Sequence, residues 1–465
     1  MLCTLAKVQH YIRTNYGDSE TAYSCIEIPF QGIYQGNGAG PGIWLLVSIP
    51  IINMLKSAGF GFTVRTVISK DTFSFVCYTF VDNSDVVHSS IDEFNQDTDN
   101  LVEEMQQVVD MWEGGLRASG GALVPSKSYW FLIHFIFERN KWRYARVNEC
   151  PGSLTIRNTD GSTRVELERL EVSEARETLG VFIAMDAIQN TVANELWQSA
   201  VLWADKVRSG NFSHAEAWFS LQYCILKSLE YPLMATSLTK GQCDKIMSPI
   251  RQAAVPALGI NRHLSLVVAH GPQKYQGLGI PDLWTVQGIM KLWLVLNHGD
   301  ANTITGHQLR ASMELHTLEL GLPGHLLRQN YSQFNKLATT SWLKNLWEFC
   351  YETNLQVESS TPQLQLARRH DFFLMERFAA YGYKDTQLYH LNLCRLFCHA
   401  TRLSDITTGD GRRIHPASWG GHPTDSSGIE YSWPNHGNPS PQIWDLWHAA
   451  LRTCFLTMEA PQQIL

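Results

Sequence analysis

An apolar, aromatic-rich run from Thr72 to Val81 meets four turn formers, Asp82, Asn83, Ser84 and Asp85, and continues as Val86-Val87-His88. That pattern predicts a β-hairpin with carboxylates at its tip. Upstream, Gln35-Gly36-Asn37-Gly38-Ala39-Gly40 reads as a flexible loop, and Pro41 opens a helix running to about Ala58. Downstream, Leu101, Val102, Met105, Val108, Val109, Trp112 and Leu116 recur at helical spacing and predict an amphipathic helix that stops at Gly120-Gly121. Lys127 to Phe137 alternates well enough for a strand, with Trp142-Arg143-Tyr144 as its partner across Arg139-Asn140. Strand, helix and strand in this order predict an α+β layer with helices on one face. At the start, Leu5, Val8 and Ile12 give Met1 to Tyr16 a helical pattern, broken at Gly17-Asp18-Ser19.

From about residue 186 the pattern turns helical. Ile188, Val192, Leu196, Trp203 and Val207 form one stripe ending at Gly210. Ser213-His214-Ala215-Glu216 and Thr239-Lys240-Gly241-Gln242 match capping boxes, each ahead of an apolar-periodic run. Beyond 300, helices alternate with polar loops, and Thr407 to Pro441 reads as one long loop. His390, Cys394 and Cys398, with His399 adjacent, share a helix face and could form part of a zinc site. Interleaved Leu391, Leu393, Leu396 and Phe397 favour a buried cysteine-bearing helix instead. Trp112, Trp197, Trp203 and Trp293 fall on helical stripes and read as core rather than as base-stacking platforms.

Composition bounds the picture. With 465 residues, 44% of them hydrophobic, two or three domains are expected. A net charge of −7 argues against a generic nucleic-acid coat protein. The charge is uneven: Asp82 to Glu113 holds ten Asp/Glu and no Lys or Arg, while 205–291 holds nine Lys/Arg against five Asp/Glu. Such a split suits a metal centre beside a helical region that touches phosphates, and it also occurs in proteins with no such task. Ten scattered cysteines without a CxxC pair point to a reducing intracellular compartment, nuclear or cytoplasmic. The longest apolar run, Ile43 to Leu55, is short for a bilayer and carries Pro50, so no transmembrane segment is expected.

Five separated segments together resemble the reverse transcriptases of non-LTR and related retrotransposons, in the form found in diatoms and other protists. Gln35-Gly36 through Pro41, with the helix after it, is similar to the family's QG-loop. Tyr78-Thr79-Phe80-Val81-Asp82-Asn83 is similar to its catalytic hairpin, where the family reads aromatic-x-Asp-Asp. Gly120-Gly121 through Lys127-Ser128 resembles the segment carrying the family's lysine. Leu179-Gly180-Val181-Phe182 resembles its LGV strand, and Tyr275 through Pro281 its GLGIP segment. The order agrees over roughly residues 1–300, and beyond 300 the likeness is to the helical C-terminal part of the same elements.

The resemblance implies a partial right-hand polymerase palm, an antiparallel sheet with helices over 1–185, followed by a helical thumb over 186–300. A helical C-terminal region follows over 301–465, with 407–441 rich in loop. It implies RNA-directed DNA polymerase chemistry, in which two Mg²⁺ ions assist nucleotidyl transfer from a dNTP to a DNA primer on an RNA template. Asp82 is then the Mg²⁺ ligand, with Asn83 at the second carboxylate position. Gln35, Gly36, Asn37 and Gly38 lie against template and nucleotide, and Lys127 stands near the pyrophosphate leaving group. The family's other metal ligand is an Asp on a strand before the QG-loop. Only Asp18, Glu20 and Glu27 precede Gln35, so the first catalytic Asp and the fingers are expected to be missing from an N-terminally truncated fragment. Asn83 brings no negative charge to offset two divalent ions, so impaired catalysis is expected. A non-catalytic nucleic-acid-binding or interaction protein on the same scaffold, or an inert pseudogene product, are the alternatives. Asp85 is a spare carboxylate two residues from Asn83, which the hairpin is expected to aim elsewhere.

Overall fold

The computed structural model describes residues 13–14, 17–18, 40–80, 83–90, 97–138, 141–158, 161–358, 360–424, 428–434 and 436–455. It is an α+β protein in which helices predominate and strands are short. Antiparallel ribbons recur along the chain: β1 (Cys77–Phe80) with β2 (Asn83–Val86), β3 (Phe135–Glu138) with β4 (Lys141–Tyr144), β5 (Thr155–Arg157) with β6 (Arg164–Glu166), and β7 (Arg176–Thr178) with β8 (Val181–Ile183). Tyr129–Trp130 pairs in parallel with Glu168–Arg169. Among the described residues every strand has a single partner, so the ribbons do not merge into a wider sheet. The longer helices are α1 (Gly40–Ser57), α2 (Thr98–Ala118), α3 (Asn190–Ser209), α4 (Lys240–Ala257), α5 (Leu283–His298), α6 (Ile304–Leu320), α7 (Trp342–Glu352), α8 (Asp385–Phe397) and α9 (Pro441–Phe455).

Two compact units result, one from residues 1–62, 74–132 and 146–171, the other from 63–73, 133–145 and 172–465. In the first, Ile51 and Leu55 of α1 meet Val76 and the Val108, Trp112 and Leu116 stripe of α2. Asp97 caps α2, its side chain accepting from the Asp99 amide. The helix ends at the expected glycines: Gly120 takes a positive φ of 87°, and the Gly121 amide donates back to the Leu116 carbonyl at 2.8 Å. By length and composition α1 is apolar enough to cross a bilayer, longer than the run from Ile43 suggests, yet Ile51 and Leu55 are committed to this core.

In the second unit one core extends from Val192 to Phe455. The core is continuous across residue 300: Trp284 and Val295 of α5 share it with Met313 of α6 and Trp347 of α7. Both capping boxes form, Ser213 with Glu216 and Thr239 with Gln242. Ile188 lies just outside α3 and is exposed, so the predicted stripe starts at Val192. Trp293 is 56% exposed and is not core, a correction to the stripe reading. The Thr407–Pro441 stretch is largely irregular but contains a single helical turn at Pro416–Trp419, and Tyr431 within it is buried.

A buried polar network ties α5 to α7. Gln287 accepts from Thr236 Oγ1 and the Leu238 amide and donates to the Leu238 carbonyl and Asn345 Oδ1, at 3.0–3.1 Å. Lys291 Nζ donates to Asn345 Oδ1 at 2.7 Å and Ser237 Oγ at 3.1 Å, with no carboxylate partner among the described residues.

The two glycine-bearing segments of the sequence reading have clear backbone reasons. Leu179 (φ 52°) and Gly180 (φ 79°) make the two-residue turn between β7 and β8, which needs positive φ at both positions. In the 275–281 segment the Leu278, Gly279 and Ile280 amides donate to the carbonyls of Val268, Gly271 and Ala269 at 2.8–3.0 Å. Gly277 lies against the Gly271 backbone, and a methyl group there would run into the Gly271 carbonyl. Gly277→Ala should therefore cost about 2–3 kcal/mol, as overpacking typically does. A melting temperature within a degree of native would contradict this close approach.

Candidate functional site

A hairpin forms within Thr72–His88, but Asn83, Ser84 and Asp85, expected in its turn, are strand residues instead; the register is Cys77↔Val86, Tyr78↔Asp85, Thr79↔Ser84 and Phe80↔Asn83. Val81 and Asp82 make up the connection and lie outside the described residues, as do Gln35, Gly36, Asn37 and Gly38. Cross-strand partners share a face, and side chains alternate along each strand. Tyr78, Phe80, Asn83 and Asp85 therefore occupy one face, all exposed. Cys77 and Val86 lie on the other and pack on the first unit's core. Burial pushes the Cys77 thiol up, with the nearby Lys56 ammonium opposing it.

This register corrects the expectation for Asp85. A carboxylate two residues along a strand from Asn83 points the same way, not elsewhere. Its surface remains accessible, but partial desolvation raises its pKa above the usual carboxylate value.

The hairpin is anchored at its base. The Val87 amide donates to Val76 O at 2.8 Å. His88 shares a hydrogen bond with Glu104 Oε2 of α2 at 3.0 Å, and its Nδ1 sits 3.2 Å from the Gly61 carbonyl. Phe60 meets the His88 ring edge-on. The tip is thus carried on a ribbon clamped to α2.

The acidic run from Asp82 to Glu113 does not converge on that tip within the described residues. Glu104 holds His88, Asp110 pairs with Arg164, and Glu113 accepts from the Arg117 guanidinium and the Arg157 amide. Gln106 closes a two-bond clasp on the Thr155 backbone, accepting at 2.8 Å and donating at 2.9 Å. Gln106, Asp110 and Glu113 recur every three or four residues along α2 and hold the β5–β6 ribbon, so these members of the acidic stretch have structural partners.

Lys127 closes a 3-10 turn, Pro125–Lys127, rather than opening a strand. Pro125 cannot donate to a ladder and favours the first position of a turn. The Lys127 side chain is exposed and makes no hydrogen bond or ion pair among the described residues. Nothing there joins it to the hairpin.

The donor chemistry fits a two-Mg²⁺ site poorly. Besides Asp82, which lies outside the described residues, the hairpin face offers an amide at Asn83 and a single carboxylate at Asp85, whose pKa partial desolvation raises. Among the described residues no group of three His, Cys, Asp or Glu side chains gathers to hold a metal. Cys394 and Cys398 are buried in the second unit's core, and burial raises both thiols, Cys398 to about 12. Both therefore pack as interior thiols, as expected of a buried cysteine-bearing helix.

The basic stretch 205–291 is also partly spent. Arg208, Lys227 and Lys240 sit in ion pairs with Asp205, Glu230 and Glu352, and Lys291 is buried. Lys245 lies over the Trp197 ring, and Lys274 over Tyr275.

Sequence reasoning missed two features. The β3–β4 ribbon carries an exposed aromatic face, which alternation forecasts but whose exposure it does not. Lys291 sits buried on a helical stripe, and burial pulls its pKa down to about 7. No family model matches the chain, and no curated protein is significantly similar to it.

Proposed function

We propose that this chain descends from an RNA-directed DNA polymerase of the non-LTR retrotransposon type and is silent in nucleotidyl transfer. The observation that carries the reading is the β1–β2 hairpin: Asn83, which follows Asp82 in the sequence, opens β2, and the ribbon is held to the amphipathic helix α2 through His88 and Glu104. In sequence, the QG-like segment before α1, the Lys127 segment after α2 and the 179–182 and 275–281 segments keep the order of the resemblance. A right-hand palm needs strands joined side by side; here they pair two by two. What the reading retains of a palm is the hairpin and its flanking helices.

Silence follows from charge. In the resembled family the paired carboxylates hold the Mg²⁺ ions that supply charge stabilisation to the transferring phosphoryl group. Replacing one by the Asn83 amide removes a negative charge from that cluster. A deficit of about 4 kcal/mol corresponds to roughly a thousandfold in rate. Primer extension on poly(rA)/oligo(dT), with Mg²⁺ or Mn²⁺, checks this on native protein, Asn83→Asp and Asp82→Ala. No incorporation by native protein is expected, and any incorporation gained by Asn83→Asp supports the descent. Incorporation by native protein that disappears in Asp82→Ala would overturn the silence.

A non-catalytic nucleic-acid-binding role on the same scaffold is the second reading. The observation favouring it is the aromatic, cation-bearing β3–β4 ribbon.

A further inference from the structure

We propose that the aromatic face of the β3–β4 ribbon is a stacking platform for single-stranded nucleic acid. The register Phe135↔Tyr144 and Phe137↔Trp142 brings four rings to one face in two cross-strand pairs, each with ring centroids 4.9 Å apart. Phe135, Phe137 and Trp142 are 51%, 42% and 45% exposed. Rings left this open are not serving a core, although aromatic side chains ordinarily gain most by burial.

Geometry and charge select the occupant. Successive same-face positions on a strand are spaced by about 6.8 Å, twice the rise per residue. Stacked bases rise about 3.4 Å per nucleotide. A base therefore fits between neighbouring ring pairs only if its strand is stretched and unpaired, which excludes a duplex. Every base has a π-face, so the platform is tolerant of sequence.

The same segment is basic in an acidic chain. Residues 133–145 hold Arg139, Lys141 and Arg143 against Glu138, whereas the whole chain carries −7. Lys141 is exposed and makes no hydrogen bond or ion pair among the described residues, while Arg143 bonds Glu138 at 2.9 Å. Alternation puts Lys141 and Arg143 on the face opposite the rings; their long side chains would have to reach round the edge of the two-stranded ribbon to meet phosphates. An apolar protein surface would seat on the rings but has no use for the cations. This surface is independent of the polymerase descent: primer extension and oligonucleotide binding fail separately.

The test is fluorescence anisotropy with labelled twelve-nucleotide ribo- and deoxyribo-oligomers and a duplex of the same length. Binding to single strands, with an affinity falling as about the 1.4th power of salt for two phosphate contacts, is expected. Each of Phe135→Ala and Phe137→Ala should weaken it about tenfold. Lys141→Glu should flatten the salt dependence, and Phe219→Ala, at an exposed ring pair elsewhere, should leave affinity unchanged. Comparing the two oligomers separates RNA from DNA as the preferred strand. Should the ring variants not fold, photocrosslinking of 5-iodouracil oligomers to native protein decides, with adducts expected within residues 133–145. Absent binding, preference for duplex, ring variants of native affinity, or crosslinks confined elsewhere each overturn the proposal.

Discussion

Arg395→Ala should abolish cooperative folding of the helical unit at 25 °C. The Arg395 side chain is completely buried and donates to Leu318 O at 2.8 Å, Glu319 O at 2.7 Å, Ala400 O at 3.1 Å and Asn392 Oδ1 at 2.8 Å. It thereby closes the C-terminal end of α6 and the turn after α8 with one planar fork. Burial pulls its pKa down to about 9, so it stays charged at neutral pH. Truncation strands buried carbonyls at about 1–3 kcal/mol each and opens a cavity costing a further 2–5 kcal/mol. A total of about 5 kcal/mol or more rivals the whole stability of an ordinary domain. Arg395→Lys should recover little, because one ammonium cannot span carbonyls from two helix ends. Circular dichroism melting decides: an Arg395→Ala transition within 3 °C of native would refute this account of the helix ends.

Stability should also rise as pH climbs from 7 to about 9. Lys291 has an ordinary value of 10.5 but about 7 when folded, because burial penalises its ammonium. Between those values the unfolded chain binds more protons than the native one, so unfolding becomes harder with increasing pH. At 1.36 kcal/mol per unit, two units are worth about 2–3 kcal/mol. Cys243 acts with the opposite sign. Burial lifts its thiol from 9.0 to about 12, so above pH 9 the unfolded chain loses a proton the native state keeps, and stability falls. Cys350 and Cys454, raised to about 11, add to that fall. His325, His399 and His436 are shifted downward and act below about pH 6.5, outside this window. Urea unfolding at pH 7, 8 and 9 should show the rise in native protein and its absence in Lys291→Met. In that variant Asn345 Oδ1 still accepts from Gln287. A rise that survives in Lys291→Met would assign it to another group.

Local chemistry was readable in the sequence and non-local packing was not. Ser213/Glu216 and Thr239/Gln242 were legible because a capping box involves only four consecutive residues. The ends of α2 and α3 were legible because glycines punctuate them. That a hairpin forms was legible, but Asn83, Ser84 and Asp85 were read as turn rather than strand, and the orientation of Asp85 depends on register, where a one-residue slip reverses every side chain. Lys127 was misplaced because Pro125 outweighs alternation. Lys291 reads as a polar break in a stripe, since only the folded neighbours Asn345 and Ser237 make it an interior residue. The core shared by α5, α6 and α7 was illegible for the same reason: sequence periodicity does not specify which helices meet.

That shared core sets a timetable for synthesis. Trp447 and Phe455 of α9 pack against Phe378, in a cluster that already includes Val192. At about 5–20 residues per second, the ribosome needs roughly 13–50 s to pass from Val192 to Phe455. During that interval the apolar stripes of α3 to α8 emerge before their last partner exists. The apolar surface of the nascent helical unit thus stays incompletely packed for far longer than a helix takes to form, until α9 arrives.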